Sequence, residues 1–527
     1  MLESEYKKAE KAATKFGLYH IFLLVTVWWG CITMTCYIVF MVFGEASKTQ
    51  CTLYQWQNGT FSNQTVHNMT IANHTCLNET YVFYSFLPAY NLSADTWVTP
   101  MITSVQLAGA LLGALLGGQL ADSFGRKLNT WLWLIAMCLL TSLSVFANSW
   151  QLQTAFRAFI GLATGGYLSS AIILVMEWMN ERTRLPVQLS LDMIQSVGFV
   201  WFSLMAYLCK DWKTLSLVIG LQGIPSILAF WFLPEPPVWL HQKQKDSRLR
   251  SAFVSIARWN RKPELRHIAL DEPGYGAVKN KGGVATVSPM PDFIPADVSE
   301  NMKNEVAEKK QLAPPTTSTY LDLFRTPKLV QYTLMNVYSF FITGTVGYML
   351  IFNVGNLVGN IFLNFALLGC VNIVAAGVAA VLQQTLKLGR RPIHQLGLNG
   401  VWISLTVIIL IYIFKLEYRL PALLVAAALV GSGFSFLLWP MCNLYSGELY
   451  PTHVRNMGNG IGMVSANLGG IIAPLILRLF HVWHPLPFII SGSLALVNVV
   501  LAFFFLPETR GKLQEDENKV GQVEESE

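Results

Sequence analysis

The chain has 527 residues, of which 53% are hydrophobic and only 13% charged, with a formal net charge of +6. A soluble domain places charge on about a quarter of its residues. A water-solvated globule is therefore excluded, and a chain dissolved mainly in lipid is expected.

In chain order the elements are apolar runs long enough to cross about 30 Å of hydrocarbon as helices, roughly 20 residues each. Twelve runs fall at about 20–43, 97–119, 129–147, 150–176, 187–209, 212–232, 329–351, 359–382, 397–414, 420–443, 456–478 and 485–506. Backbone in lipid must satisfy its own hydrogen bonds, and these runs are too long and too continuously apolar for barrel strands. An all-α membrane protein is expected. Residues 1–15 carry Glu3, Glu5, Lys7, Lys8, Glu10, Lys11 and Lys15, and the apolar run after them is too long for a signal-peptide core. It is expected to remain as the first helix.

The loop 44–96 follows that helix. Asn58, Asn63, Asn68, Asn73 and Asn78 each begin an Asn-x-Thr sequon at a strict five-residue spacing, and Asn91-Leu-Ser adds one more. A periodic run confined to one loop marks that loop as glycosylated and extracellular. Cys51 and Cys76 share the loop and are candidates for a disulfide in an oxidising compartment. The other six cysteines lie in predicted helices as small apolar packing residues.

Between the second and third runs stands GGQLADSFGRKLN, residues 117–129. Gly118 permits close packing, Gly125 permits the turn, and Asp122 can accept hydrogen bonds from a helix N-terminus or a basic partner. Such a cluster can latch two halves of a bundle in one state and free them in another. Arg126, Lys127, Arg182, Arg184, Lys387, Arg390, Arg391 and Arg455 fall on the side opposite the sequons, as the positive-inside rule requires, although Lys210, Lys213, Lys415 and Arg419 do not. Both termini are expected in the cytoplasm.

Residues 241–328 interrupt the apolar pattern and divide the chain into an N-terminal half, 1–240, and a C-terminal half with an acidic tail, 329–527. The linker opens on the basic, amphipathic stretch HQKQKDSRLRSAFVSIARWNRK, expected as short helices on the membrane surface, while 272–318 suits a solvated tether. Six helices on each side of a linker is the plan of bundles that hold a substrate between two halves near the midplane.

Gly118-x-x-x-Asp122-x-x-Gly125-Arg126-Lys127 resembles the signature turn of major facilitator transporters, with Ser123 where a basic residue is usual. LPEPPVWL (233–240), LDLFRTP (321–327), ELYPTHVRNMGNG (448–460) and LPETRGK (506–512) are similar to landmarks of the organic cation and anion transporter family, solute carrier family 22. The resemblance spans nearly the whole chain. It implies that Arg157 with Gly161 forms the family's helix 4 motif and that Glu177, Arg455 and Glu508 belong to a cytoplasmic charge relay, all in gating roles. The second-half counterpart of the turn reads LKLGRRP, with Leu386 where the pattern has an aspartate. Arg390 and Arg391 must then find partners elsewhere, with Glu448 and Glu508 as candidates.

Ionisable groups inside a membrane are costly and are functional candidates by default. Asp192 lies about two turns into the fifth helix and is either a substrate or proton site or a member of the gate network. Arg157 suits a structural role, and Arg478 is expected to snorkel to the outer interface. In the eleventh helix Gly458, Gly462, Ala466 and Gly470 form a small-residue seam with Asn467 beside it. The resemblance implies an aspartate at position 467 in cation carriers and an arginine in anion carriers; Asn372 similarly stands where cation carriers have a glutamate. Tyr338, Phe340, Phe341 and Trp439 could present faces to a cation or a flat ring.

No G-x-x-x-x-G-K-[ST] loop, no His-Cys cluster of metal-site spacing and no G-x-S-x-G elbow is present. Neither an enzyme nor an ATP-driven pump is expected, and no cofactor, metal or nucleic-acid partner is implied. The expectation is a multi-pass plasma-membrane secondary transporter for an organic cation, a zwitterion or a neutral aromatic solute, its partners being that solute and the bilayer. The alternatives are an organic anion carrier and a non-transporting ligand sensor on the same fold. Oligomeric state is left open.

Overall fold

A computed structural model describes residues 10, 13–45, 49–57, 60–67, 79–93, 96–260, 320–384, 389–450 and 454–508. Twelve helices in it are long and apolar enough to cross a membrane. They are α1 (Leu18–Gly44), α2 (Val98–Phe124), α3 (Arg126–Phe146), α4 (Trp150–Trp178), α5 (Pro186–Cys209), α6 (Trp212–Phe230), α7 (Pro327–Asn356), α8 (Ile361–Leu382), α9 (Arg390–Ile413), α10 (Pro421–Leu449), α11 (Met457–His481) and α12 (Leu486–Phe505). Every apolar run of the sequence coincides with one of them. Four helices run past the apolar windows by five residues or more: α9 starts at Arg390 rather than 397, α10 continues to Leu449 rather than 443, α2 to Phe124 rather than 119, and α7 to Asn356 rather than 351. In each case the added turns include polar or charged residues that lower the hydropathy of the window before the helix ends. Helix α6 breaks at Gly223 between Trp212–Gln222 and Ile224–Phe230, where Pro225 lacks the N–H that would continue the ladder.

After α1 comes a small antiparallel sheet, β1 (Thr49–Gln57), β2 (Thr60–His67) and β3 (Glu79–Tyr81), in the order β2-β1-β3. In its register Cys51 pairs with Val66 and Asn63 with Tyr54. Asn58, Asn68, Asn73, Asn78, Cys76, the tether 272–318 and Leu386 lie outside the described residues. Of the six cysteines elsewhere in the chain, Cys31, Cys36, Cys138 and Cys442 are buried, Cys209 is half-buried and Cys370 is exposed. We call the membrane side that carries this sheet the hairpin side and the opposite one the linker side.

The linker begins with short helices at Pro237–Gln242 and Asp246–Trp259. The second turns Leu249, Phe253 and Ile256 into the protein core, not toward a membrane surface. Trp259 stacks on Phe22 of α1 at 4.8 Å, and Asn260 Oδ1 accepts from Tyr19 N at 3.0 Å. An apolar stripe at helical spacing finds a dry protein face here, which removes it from water as lipid would.

Between lipid-embedded helices there is no hydrophobic drive, so close packing must hold them. In the N-terminal half α2 and α4 touch through glycine. A Cβ added at Gly113 would sit 1.9 Å from Leu162 O, and one at Gly165 1.9 Å from Ala110 O. In the C-terminal half the small-residue seam of α11 packs on α7, with a Cβ at Gly344 falling 2.1 Å from Ala466 O. Gly118 plays no such part, since nothing lies within 4 Å of a Cβ placed there. The residue that packs closely is its neighbour Gly117, against Gly166.

The contrast is testable by substitution. Gly165→Val forces α2 and α4 apart and is expected to cost about 1–3 kcal/mol or more, lowering the thermal midpoint of the detergent-solubilised protein. Gly118→Ala should leave it unchanged.

Candidate functional site

Each half has a carboxylate network at its linker-side end. In the N-terminal half Gly125 separates α2 from α3 with φ 123°, a left-handed conformation that favours glycine. A Cβ at this position would also lie 2.7 Å from Glu235 Oε1. The turn brings Arg126 back onto Asp122, one helical turn earlier, with which it forms an ion pair. Arg126 Nε also donates to Glu177 Oε1 of α4 at 2.9 Å. Glu235, just after α6, accepts from the backbone N–H groups of Lys127 and Leu128 at 2.9 and 3.1 Å. Those groups open α3 and have no partner within the helix, and a carboxylate at this end also meets the positive pole of the helix dipole.

The C-terminal half repeats the device. Glu508, just after α12, accepts from Arg390 N at 2.8 Å and Arg391 N at 3.2 Å. Arg390 Nε donates to Glu448 Oε1 of α10 at 3.3 Å, and Arg391 Nη2 donates to Phe503 O. Both glutamates that the sequence offered to the arginine pair are used, Glu508 by the backbone and Glu448 by a side chain. Arg455 forms no ion pair among the described residues, and its Nε is buried without an acceptor. Every partner named in these two networks lies in the same half. The expected latch between halves is thus, in this structure, a clamp within each half.

The halves themselves meet along α5 with α8 and α2 with α11, toward the hairpin side. A Cβ on Gly369 of α8 would lie 2.7 Å from Val200 Cγ2 of α5. Further toward the hairpin, Ser203 Oγ donates to Phe362 O at 2.5 Å, and Ser104 Oγ of α2 donates to Ile471 O of α11 at 2.7 Å. Phe43, Phe202, Phe362 and Phe365 interlock there, with Phe43 5.4 Å from Phe202 and 5.3 Å from Phe362 between ring centroids.

The polar residues singled out near the midplane fall in different places. Asp192 stands one turn from Ser196, whose backbone abuts Gly369, and thus belongs to the face of α5 that meets α8. Asn372 is fully buried, its Oδ1 accepting from Ser432 of α10 at 3.3 Å while its Nδ2 has no partner. Asn467 is half-buried and spends its Nδ2 on Met463 O of its own helix at 2.9 Å. Trp439 and Met463 pack together around Phe340, whereas Tyr338 turns away and donates to Leu494 O of α12 at 3.0 Å. Phe341 is half-buried on α7, where its carbonyl lies 2.4 Å from a Cβ at Gly469. Arg157 is fully buried within the N-terminal half, its guanidinium carbon 3.9 Å from the centroid of Phe40. Arg478 does not snorkel outward. It is buried, lies over Trp97 at 5.8 Å and lines a cavity between the halves.

The sequence profile of the Major Facilitator Superfamily matches residues 69–414 and 365–524. A Drosophila melanogaster relative, "Organic cation transporter protein", is 32% identical over 78% of this chain and 68% of its own length. The chain belongs to the major facilitator superfamily. Within it the chain falls in the organic cation transporter branch, solute carrier family 22, and mouse solute carrier family 22 member 4 is 28% identical over 79% of this chain and 68% of its own. The family is one of transporters and not of enzymes. An E. coli xylose transporter in an inward-open conformation shares the fold, with a TM-score of 0.63 over 94% of this chain and 98% of its own at 14% identity.

Two residues of this transporter escaped the sequence reading. Glu235 had a signal, since LPE follows the last helix of each half and only the second copy was given a role. Glu45 had none: it stands alone after α1, and its partner Thr103 is 58 residues away in sequence, across a whole loop.

If the two capping glutamates are equivalent, Glu235→Ala and Glu508→Ala should each destabilise the detergent-solubilised protein by about 1–2 kcal/mol. The corresponding Gln variants should lose less, because an amide oxygen still accepts one backbone N–H. Thermal unfolding checks both. Equal losses for Ala and Gln would contradict the capping role.

Proposed function

We propose that the protein is a plasma-membrane secondary transporter that moves small organic cations, zwitterions or neutral aromatic solutes by alternating access, with the hairpin outside and the linker and termini in the cytoplasm. The observation that supports this most is the arrangement of closures. The halves interlock at the hairpin side through aromatic rings and two serine–carbonyl bonds, while the linker-side networks bind within each half. Two rigid halves with one closure made are able to exchange it for the other around a site between them. The name of the fly relative supports the substrate class.

A strong fixed charge is missing from the points where the family resemblance expects one, because Asn467 and Asn372 are neutral. Opposite charges about 4 Å apart are worth roughly 4 kcal/mol at an effective dielectric near 20. We assign the cation-facing carboxylate instead to Asp192, an ionisable group on the α5 face that meets the other half. Trp439 and Phe341 offer ring faces to the solute.

Uptake of cationic, zwitterionic and anionic aromatic probes into proteoliposomes, at two membrane potentials, tests this. Cation uptake should saturate and grow with an inside-negative potential, which adds about 2.3 kcal/mol per charge per 100 mV. Asp192→Asn should cut cation uptake by about tenfold or more and spare a neutral probe. Asn467→Asp should shift the cation-to-anion uptake ratio toward the cation by a few-fold, the gain limited by the desolvation of a carboxylate between packed helices; an unmoved ratio removes position 467 from the solute path. Saturable binding without flux would favour the ligand sensor, and uptake of the anion alone would favour the anion carrier. Enzymatic deglycosylation of the protein on intact cells should lower its apparent mass. An unchanged mass contradicts the orientation.

A further inference from the structure

At the hairpin-side closure a small polar cavity lies between the halves. Its polar lining is Glu45 at the end of α1, Thr99 of α2, Asn356 at the end of α7, and Arg478 and His481 at the end of α11. Glu45 Oε1 lies 2.5 Å from Thr103 Oγ1 of α2, and the same hydroxyl lies 3.2 Å from Thr99 O. A threonine hydroxyl has one proton to give. If Glu45 is ionised, that proton serves either the carboxylate or Thr99 O, a helical carbonyl that also takes the Thr103 N–H. If Glu45 is protonated, the carboxyl donates to Thr103 and Thr103 donates to Thr99 O, so both donors and both acceptors are used. The cluster therefore accommodates a protonated carboxyl with every proton placed on an acceptor.

We propose that Glu45 is a proton-binding switch for the hairpin-side closure, its protonated carboxyl tying α1 to α2 beside the end of α11 and its ionised form favouring an opening that admits water. The switch rests on the alternating-access reading, because it names what controls one of the two closures. Glu45 remains half-buried, which leaves a proton a path to it. Burial pushes its carboxyl up from 4.5 to about 7, against the opposing pull of the Thr103 hydrogen bond and the positive charge of Arg478. In an open mouth water reaches the carboxyl and its ordinary value returns. Closure therefore gains from protonation in full below about 4.5, and the gain is lost as pH rises through about 7. Among the described residues the charged or titratable groups that line the cavity are Glu45, Arg478 and His481, with α2 and α7 presenting only Thr99, Thr103 and Asn356. His481 is the competing titrating group.

The test uses nitroxide labels on a genetically encoded ketone side chain at Tyr84 and Val358, exposed positions on the hairpin side of the two halves. Pulsed dipolar spectroscopy on the full chain in nanodiscs reads the closed fraction from about pH 5 to pH 8, with protons as the only ligand. The ratio of closed to open protein should fall by about tenfold or more across that range. Glu45→Gln should stay closed at every pH. Thr103→Val removes the partner through which the protonated carboxyl ties α1 to α2 and should weaken the response, while His481→Gln should leave it in place. A pH-independent distribution in the wild type overturns the proposal, as does a response that survives Glu45→Gln and vanishes in His481→Gln. Since no solute is needed, a failure here leaves the transport reading intact, and a protein that carries nothing can still show the switch.

Discussion

Lipid offers a helix neither hydrogen-bond partners nor a reason to leave it for another helix, and this single constraint organises the molecule. Helices must satisfy their own backbones, so the chain is built of long apolar runs. They must also be held by contact, so glycines on α2 and α4, and on α7 and α11, bring backbones to distances that no side chain would permit. The two tight pairs lie one in each half. They give each half a rigid spine, and the weaker seam between halves is left to rings and serine hydroxyls that can be exchanged.

The same constraint explains the carboxylate networks. Where a helix emerges on the linker side, its first N–H groups need acceptors, and Glu235 and Glu508 supply them from the segment that ends each half. Arg126 and Arg390 then tie the capped helix to Glu177 and Glu448. Each network locks the third helix of its half to the fourth and to the segment after the sixth, or their equivalents. A half that is complete in itself can move as a body. The linker-side arginines Arg126 and Arg390 are thus structural members of the clamp.

Run length alone made all the spans legible, because a bilayer sets one thickness for every helix. Ends were less legible at α9 and α10, where His394, Gln395, Ser446 and Glu448 continue a helix that hydropathy has already abandoned. The α11 seam was visible as a four-residue period, yet the tighter contact of α2 with α4 was passed over because its glycines are spread over two separate runs. The direction of a polar side chain could not be read at all. Asn467 folds back on its own helix and Tyr338 reaches α12, since both choices depend on neighbours far away in sequence. Glu45 is the sharpest case: one carboxylate in a loop signals nothing until Thr103 and Arg478 stand around it.

The central claim is that a solute site is exposed to one side of the membrane at a time. Counterflow tests it most directly. Proteoliposomes holding the full chain are loaded with unlabelled tetraethylammonium, diluted, and given a trace of the labelled cation outside. A carrier with alternating closures should draw labelled cation in above its equilibrium level before it relaxes, by an amount that grows with the internal load. Entry that is saturable but never overshoots, or is slowed by internal cation, would contradict alternating access.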